Sequence, residues 1–97
     1  MISPDVLARV SFLPTDRGGR TQATPSGHLG CICVIDDGNF DCRLLLSNTG
    51  PIWPGETKVV PIKFLYIERV KSRLTEGKHF LLRELAVVAT GEIIQIF

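Results

Sequence analysis

Apolar side chains recur at every second position along most of this chain, the signature of strands that bury one face. A first strand is expected from about Asp5 to Leu13, with Val6, Ala8, Val10 and Phe12 on one face and Arg9 and Ser11 on the other. Pro14 ends it. A polar loop follows from Thr15 to Gly27, in which the paired glycines Gly18 and Gly19 supply the positive φ angles of a tight turn. Next comes a hairpin, Cys31–Ile35 and Phe40–Leu44 around Asp37-Gly38, a dipeptide suited to a two-residue turn. With that dipeptide as the loop, Ile35 faces Phe40, Cys33 faces Cys42 and Cys31 faces Leu44. All six then share the core face, while Asp41 and Arg43 face solvent.

A Gly- and Pro-rich loop spans Ser47 to Gly55 and holds Trp53, expected either to pack over the barrel end or to serve as a partner anchor. The strand from Glu56 to Tyr66 carries Val60, Ile62, Phe64 and Tyr66 on one face. Pro61 lacks a ladder donor, which predicts an edge or bulged strand. From Ile67 to Gly77, Ile67, Val70 and Leu74 have helical spacing within a short piece, expected as a turn of helix or an irregular connection. A final pair is expected from Phe80–Glu84 and Val87–Phe97, with Gly91 marking a bulge. The reading is all-β: residues 1–97 form one domain, a small closed antiparallel β-barrel of about six strands.

Composition narrows the function classes. The chain is 44% hydrophobic, with 11 Lys and Arg against 10 Asp and Glu, for a net charge of +1. That balance lacks the basic excess of a dedicated nucleic-acid binder, so any RNA contact must rest on a local patch. No signal peptide or membrane-length apolar run is visible, which points to a cytoplasmic, reduced protein without membrane attachment. The phosphate-cradling pattern G-x-x-x-x-G-K-[ST] is absent, so no GTP binding by this chain is expected.

Several features in order resemble the C-terminal, third domain of translation elongation factor Tu. They are the first strand, Gly18-Gly19-Arg20, Gly27, Pro54-Gly55-Glu56, Gly77, Phe80, Arg83-Glu84 and the closing Gly91-Glu92-Ile93-Ile94 strand. The resemblance spans nearly the whole chain and implies the same barrel. It also implies a binding module rather than an enzyme, contacting structured, tRNA-like RNA or a translation-related protein through its loops. By resemblance, Arg20 and with it Arg17 would lie near an RNA backbone. The chain departs from the family at His28-Leu29-Gly30-Cys31-Ile32, where the family reads Tyr-Arg-Pro-Gln-Phe. Met1 followed by a complete first strand suggests a free-standing relative. The alternative is an accessory, decoy or immunity-type protein that binds one dedicated protein partner.

The candidate partner-binding residues are therefore Arg17, Gly18, Gly19 and Arg20 in the first loop, with Arg69, Lys71 and Arg73 in the basic stretch that ends at Lys78. Together they would form one phosphate-binding patch if the barrel joins them; otherwise they are solvated surface. Cys31, Cys33 and Cys42 with His28 have the elements of a zinc site, but their place on the apolar face reads as core packing. Cys33 opposite Cys42 is a candidate redox pair. Glu84 and Glu92 are expected to pair across strands with Arg83 or Lys78. No metal, cofactor or catalytic residue is expected.

Overall fold

The computed structural model describes residues 2–97. Its strands are β1 (Val6–Phe12), β2 (His28–Ile35), β3 (Gly38–Leu45), β4 (Thr57–Phe64), β5 (His79–Arg83) and β6 (Val87–Ile96). All pairings are antiparallel and close into a barrel in the order β1-β4-β3-β2-β5-β6. Short 3-10 turns lie at Thr15–Arg17 and Lys71–Arg73, the second directly after the one-turn helix α1 (Ile67–Val70). No helix among the described residues is long and apolar enough to cross a membrane.

The period-two pattern is realised as expected in β1, where Val6, Ala8, Val10 and Phe12 are all buried. The inward faces of β2 and β3 carry Cys31, Cys33, Ile35, Cys42 and Leu44, while Asp41 and Arg43 are exposed. Val60, Ile62 and Phe64 of β4 complete the wall, but Tyr66, expected inside, lies beyond the strand and is exposed. Covering one end, Thr24 and Ile52 exchange backbone and side-chain bonds. The Thr24 N–H donates to the Ile52 carbonyl at 2.9 Å, and the Ile52 N–H donates to Thr24 Oγ1 at 2.9 Å. This satisfies the polar groups of two loops that cross a buried apolar surface, where an unpaired group would be costly.

Two expectations about single strands are corrected. β4 is no edge strand: it sits between β1 and β3. The Leu65 N–H donates to the Asp41 carbonyl, so odd-numbered residues of β4 turn their backbone polar groups toward β3. The β3–β4 pairing runs only as far as Leu44↔Ile62, so Pro61 stands at its end, where the missing donor interrupts no further pair. Gly91 is not a bulge. The register shifts lie instead between Leu7 and Ala8 of β1 and between Leu82 and Arg83 of β5. Gly91 makes room for a ring, since a Cβ there would stand 2.2 Å from Cζ of Phe80.

The hairpin register differs by one pair of residues from that expected. The turn residues are Asp36 and Asp37, with Ile35↔Gly38 as the closing pair, Cys33↔Phe40 next and Cys31↔Cys42 after it. Asp36 takes the positive φ, 55°, a conformation that Asp tolerates better than most residues. Two features accompany this register. Gly38 is needed inside β3 because a Cβ there would lie 2.7 Å from the Phe40 ring. The displaced carboxylates are caught by cations from the β4–β5 connection: Lys78 Nζ lies 2.7 Å from Asp36, and Arg73 lies 3.2 Å from Asp37. Moving the pairing by two keeps every side chain on its expected face, which is why the alternation alone did not reveal the slip.

Candidate functional site

The two basic groups singled out from the sequence are not joined. β1 and β4 are antiparallel, so the loop after Phe12 and the connection after Phe64 leave opposite ends of the barrel. Arg17 to Arg20 therefore stand at one end, and Arg69, Lys71 and Arg73 at the other.

Within each group, part of the charge is already committed. Arg20 Nη1 donates to both carboxylate oxygens of Glu84, at 2.6 and 2.7 Å, with both side chains largely buried. Its backbone carbonyl also accepts from the Thr15 hydroxyl at 2.6 Å, so Arg20 ties the first loop to the end of β5. Gly18 has φ 89° and closes the 3-10 turn. Gly19 passes so close to the chain that a Cβ would meet the Leu13 carbonyl oxygen at 2.0 Å. Arg73 bridges Asp36 and Asp37 and lies 5.4 Å from the centre of the Phe40 ring. That guanidinium holds the Asp37 carboxyl below its usual range. Arg69 stacks over Tyr66 at 5.1 Å, and among the described residues Arg17, Arg69 and Lys71 form no ion pair. The expected partners of the two glutamates are corrected as well: Glu84 pairs with Arg20, and Glu92 with Arg9 at 3.3 Å.

The cysteines are all buried and free. The register brings together Cys31 and Cys42, with sulfurs 3.6 Å apart, in place of the expected pair Cys33 and Cys42. Contact with Cys42, followed by burial, pushes the Cys31 thiol far above its usual range. At Cys42 the contact with Cys31 acts downward, but Cys33 and burial outweigh it, and the net shift is again upward. All three cysteines are buried wall material, and the upward shifts at Cys31 and Cys42 make those two thiols poor nucleophiles. No group of three or more metal-ligating side chains occurs among the described residues.

A different feature stands out on the outer wall. Over Gly30 the barrel has a depression of about 520 Å³. It is lined by the β2–β3 hairpin around Gly30 and Cys42 and by Leu65 and Leu85 from beyond the ends of β4 and β5. Leu65 is 55% exposed and Leu85 wholly exposed. Arg43, Arg83 and Asp41 line it as well, and none of the three forms an ion pair among the described residues. Glu84 also borders it but is held by Arg20. The space above Gly30 is open: a Cβ built there meets nothing within 4 Å. Exposed Ile2 continues the apolar lining beside Leu65 along the β3–β4 wall.

Of the lining residues only Cys42, as half of a candidate redox pair, and Cys31, weighed as a zinc ligand, were singled out from the sequence as site residues; Gly30, Leu65, Leu85, Arg43 and Asp41 were not taken as a site. The available signal was Gly30 itself, a glycine inside a strand of apolar residues, which marks a close approach of another backbone or a ligand. Alternation through the expected Glu56–Tyr66 strand already put Leu65 on the outward face, whereas Leu85 sits just past a strand end, where alternation no longer assigns a face. Comparison with models of known protein families and with curated proteins finds no match to this chain.

Proposed function

We propose that this barrel is a non-enzymatic module that binds a protein partner through the outer wall over Gly30. The observation that carries this reading is the depression lined by Leu65 and Leu85. Leucines held wholly or half in water around a concavity cost solvation energy that a docked surface would recover, at about 25 cal/mol per Å² covered. Arg43, Arg83 and Asp41 line the same depression, so it offers apolar and charged contacts together, as protein interfaces do. The resemblance to the elongation factor Tu barrel extends the reading to partners drawn from the translation machinery, or to a protein that recognises that factor.

RNA binding is less well supported. The basic groups stand at opposite ends of the barrel, and Arg20 and Arg73 are already spent on carboxylates. A photoreactive side chain placed at Leu85, with a second variant carrying it at Ser11 on another wall, tests the choice in native lysate. A protein adduct formed from Leu85, absent from Ser11 and unchanged by ribonuclease, supports the reading. Adducts to RNA, or protein adducts formed equally from both positions, overturn it.

A further inference from the structure

Backbone geometry beneath the depression goes further than its shape. The Leu65 N–H donates to the carbonyl of Asp41, so Asp41 turns its backbone polar groups toward β4. In an antiparallel strand the N–H and C=O of one residue point to the same side, and successive residues alternate. Asp41 is opposite Ile32, so Ile32 turns its polar groups the other way, toward β5, where it meets Arg83. Gly30, two residues earlier, has the same orientation. The β2–β5 pairing ends at Ile32↔Arg83, because the shift between Leu82 and Arg83 and the turn from Glu84 to Ala86 carry the chain away. The Gly30 N–H and C=O therefore face an open notch, a stretch of unpaired strand edge in an otherwise closed barrel.

An unpaired edge of this kind is a template for an added strand. Without a side chain at Gly30, an incoming backbone can approach the wall closely. Charge decides which strand. Among the described residues Arg43 and Arg83 form no ion pair, and of the two carboxylates lining the depression with them Glu84 is held by Arg20, which leaves Asp41. A second copy of this chain would bring two more arginines to the same place, whereas an acidic segment would neutralise them.

Resting on the protein-binding reading above, we infer that the partner contributes an extended segment that pairs with β2 at Gly30. One of its side chains is apolar and packs on Leu85 or Leu65, and a neighbouring one is a carboxylate held by Arg43 or Arg83. Arginine is suited to this, since its planar fork grips a carboxylate with two parallel bonds.

The probe is a displayed library of short random peptides selected against the whole domain, followed by amide hydrogen exchange on the domain with an enriched peptide. The expected peptides alternate apolar and acidic residues. Binding slows exchange at the Gly30 amide by about 10-fold or more, and the Arg43→Glu/Arg83→Glu double variant, its fold checked by circular dichroism, binds about 10-fold or more weakly. N-methylation of the bound peptide is harmful at alternate positions and tolerated between them, as a strand that bonds with every second residue requires. Peptides that bind without protecting Gly30, or that tolerate N-methylation throughout, overturn strand addition. A concentration-dependent dimer that protects Gly30 without peptide overturns the acidic-segment partner in favour of a second copy. Because the Leu85 crosslink is read independently, its success alongside either of these results leaves protein binding standing and removes only the mode proposed here.

Discussion

Two glycines in this barrel wall should respond in opposite directions to the same substitution. At Gly91 a Cβ would lie 2.2, 2.4 and 2.9 Å from three carbons of the Phe80 ring, against an ordinary carbon–carbon contact of about 3.5–4.0 Å. That ring is only 4% exposed, so it must move by about 1 Å or more into neighbours that are themselves buried. Overpacking of this kind costs about 1–3 kcal/mol, and each kcal/mol lowers Tm by about 4–8 °C in a domain of this size. At Gly30 a Cβ meets nothing within 4 Å and φ is not positive. Gly30→Ala should therefore leave stability unchanged or raise it by about 0.5–1 kcal/mol, because the unfolded chain loses freedom. The assay is urea denaturation followed by circular dichroism, with Phe80→Leu as the second arm of a double-mutant cycle. Phe80→Leu should remove about 1 kcal/mol or more of the Gly91→Ala penalty through their coupling. Equal effects of the two alanine substitutions, or strict additivity of Gly91→Ala with Phe80→Leu, would refute the packing argument.

Other outcomes follow from the ion pairs and the thiols. Arg20→Ala should destabilise the domain by about 1–3 kcal/mol, since it strands a largely buried Glu84, and should speed proteolysis at Arg17 as the first loop comes loose. Limited trypsin digestion beside a denaturation curve reads both effects. Arg73 lowers the folded-state pKa of Asp37, so this pair contributes stability above the ordinary carboxylate pKa of 3.8 and loses it as pH falls through the lowered value. An NMR titration of the Asp37 carboxyl should show its midpoint rising toward 3.8 in Arg73→Met; an unmoved midpoint would remove Arg73 as the cause. At mildly alkaline pH a thiol reagent should find no reactive cysteine in the native protein and all three after denaturation, without prior reductant. A deficit of thiols in the denatured sample would instead reveal a disulfide.

Much of the fold was legible because alternation reports burial directly. Val6 to Phe12, the inward cysteines with Ile35 and Leu44, and Val60 to Phe64 could be assigned to the core from spacing alone. The short helical turn at Ile67–Val70 also followed from spacing, and the number of strands from the turns between them. These are local properties: a side chain's face depends on its neighbours two residues away, and a turn on the φ its glycine allows.

What tertiary structure decided was every relation between distant segments. The hairpin register puts Asp36 and Asp37 in the turn, where Arg73 and Lys78 reach them from a connection more than thirty residues along the chain. The intended partner of Cys42 moved with that register, from Cys33 to Cys31. The basic residues proved to be two groups because antiparallel strands send alternate connections to opposite ends, which no count of charge could show. The depression over Gly30 required closure itself. It forms where β5 turns away from β2 while the barrel closes through β6 and β1, leaving one stretch of edge unpaired between two leucines. Alternation shows which face of a strand meets the core, but an open edge is defined by the neighbour that leaves, and only the assembled sheet determines that.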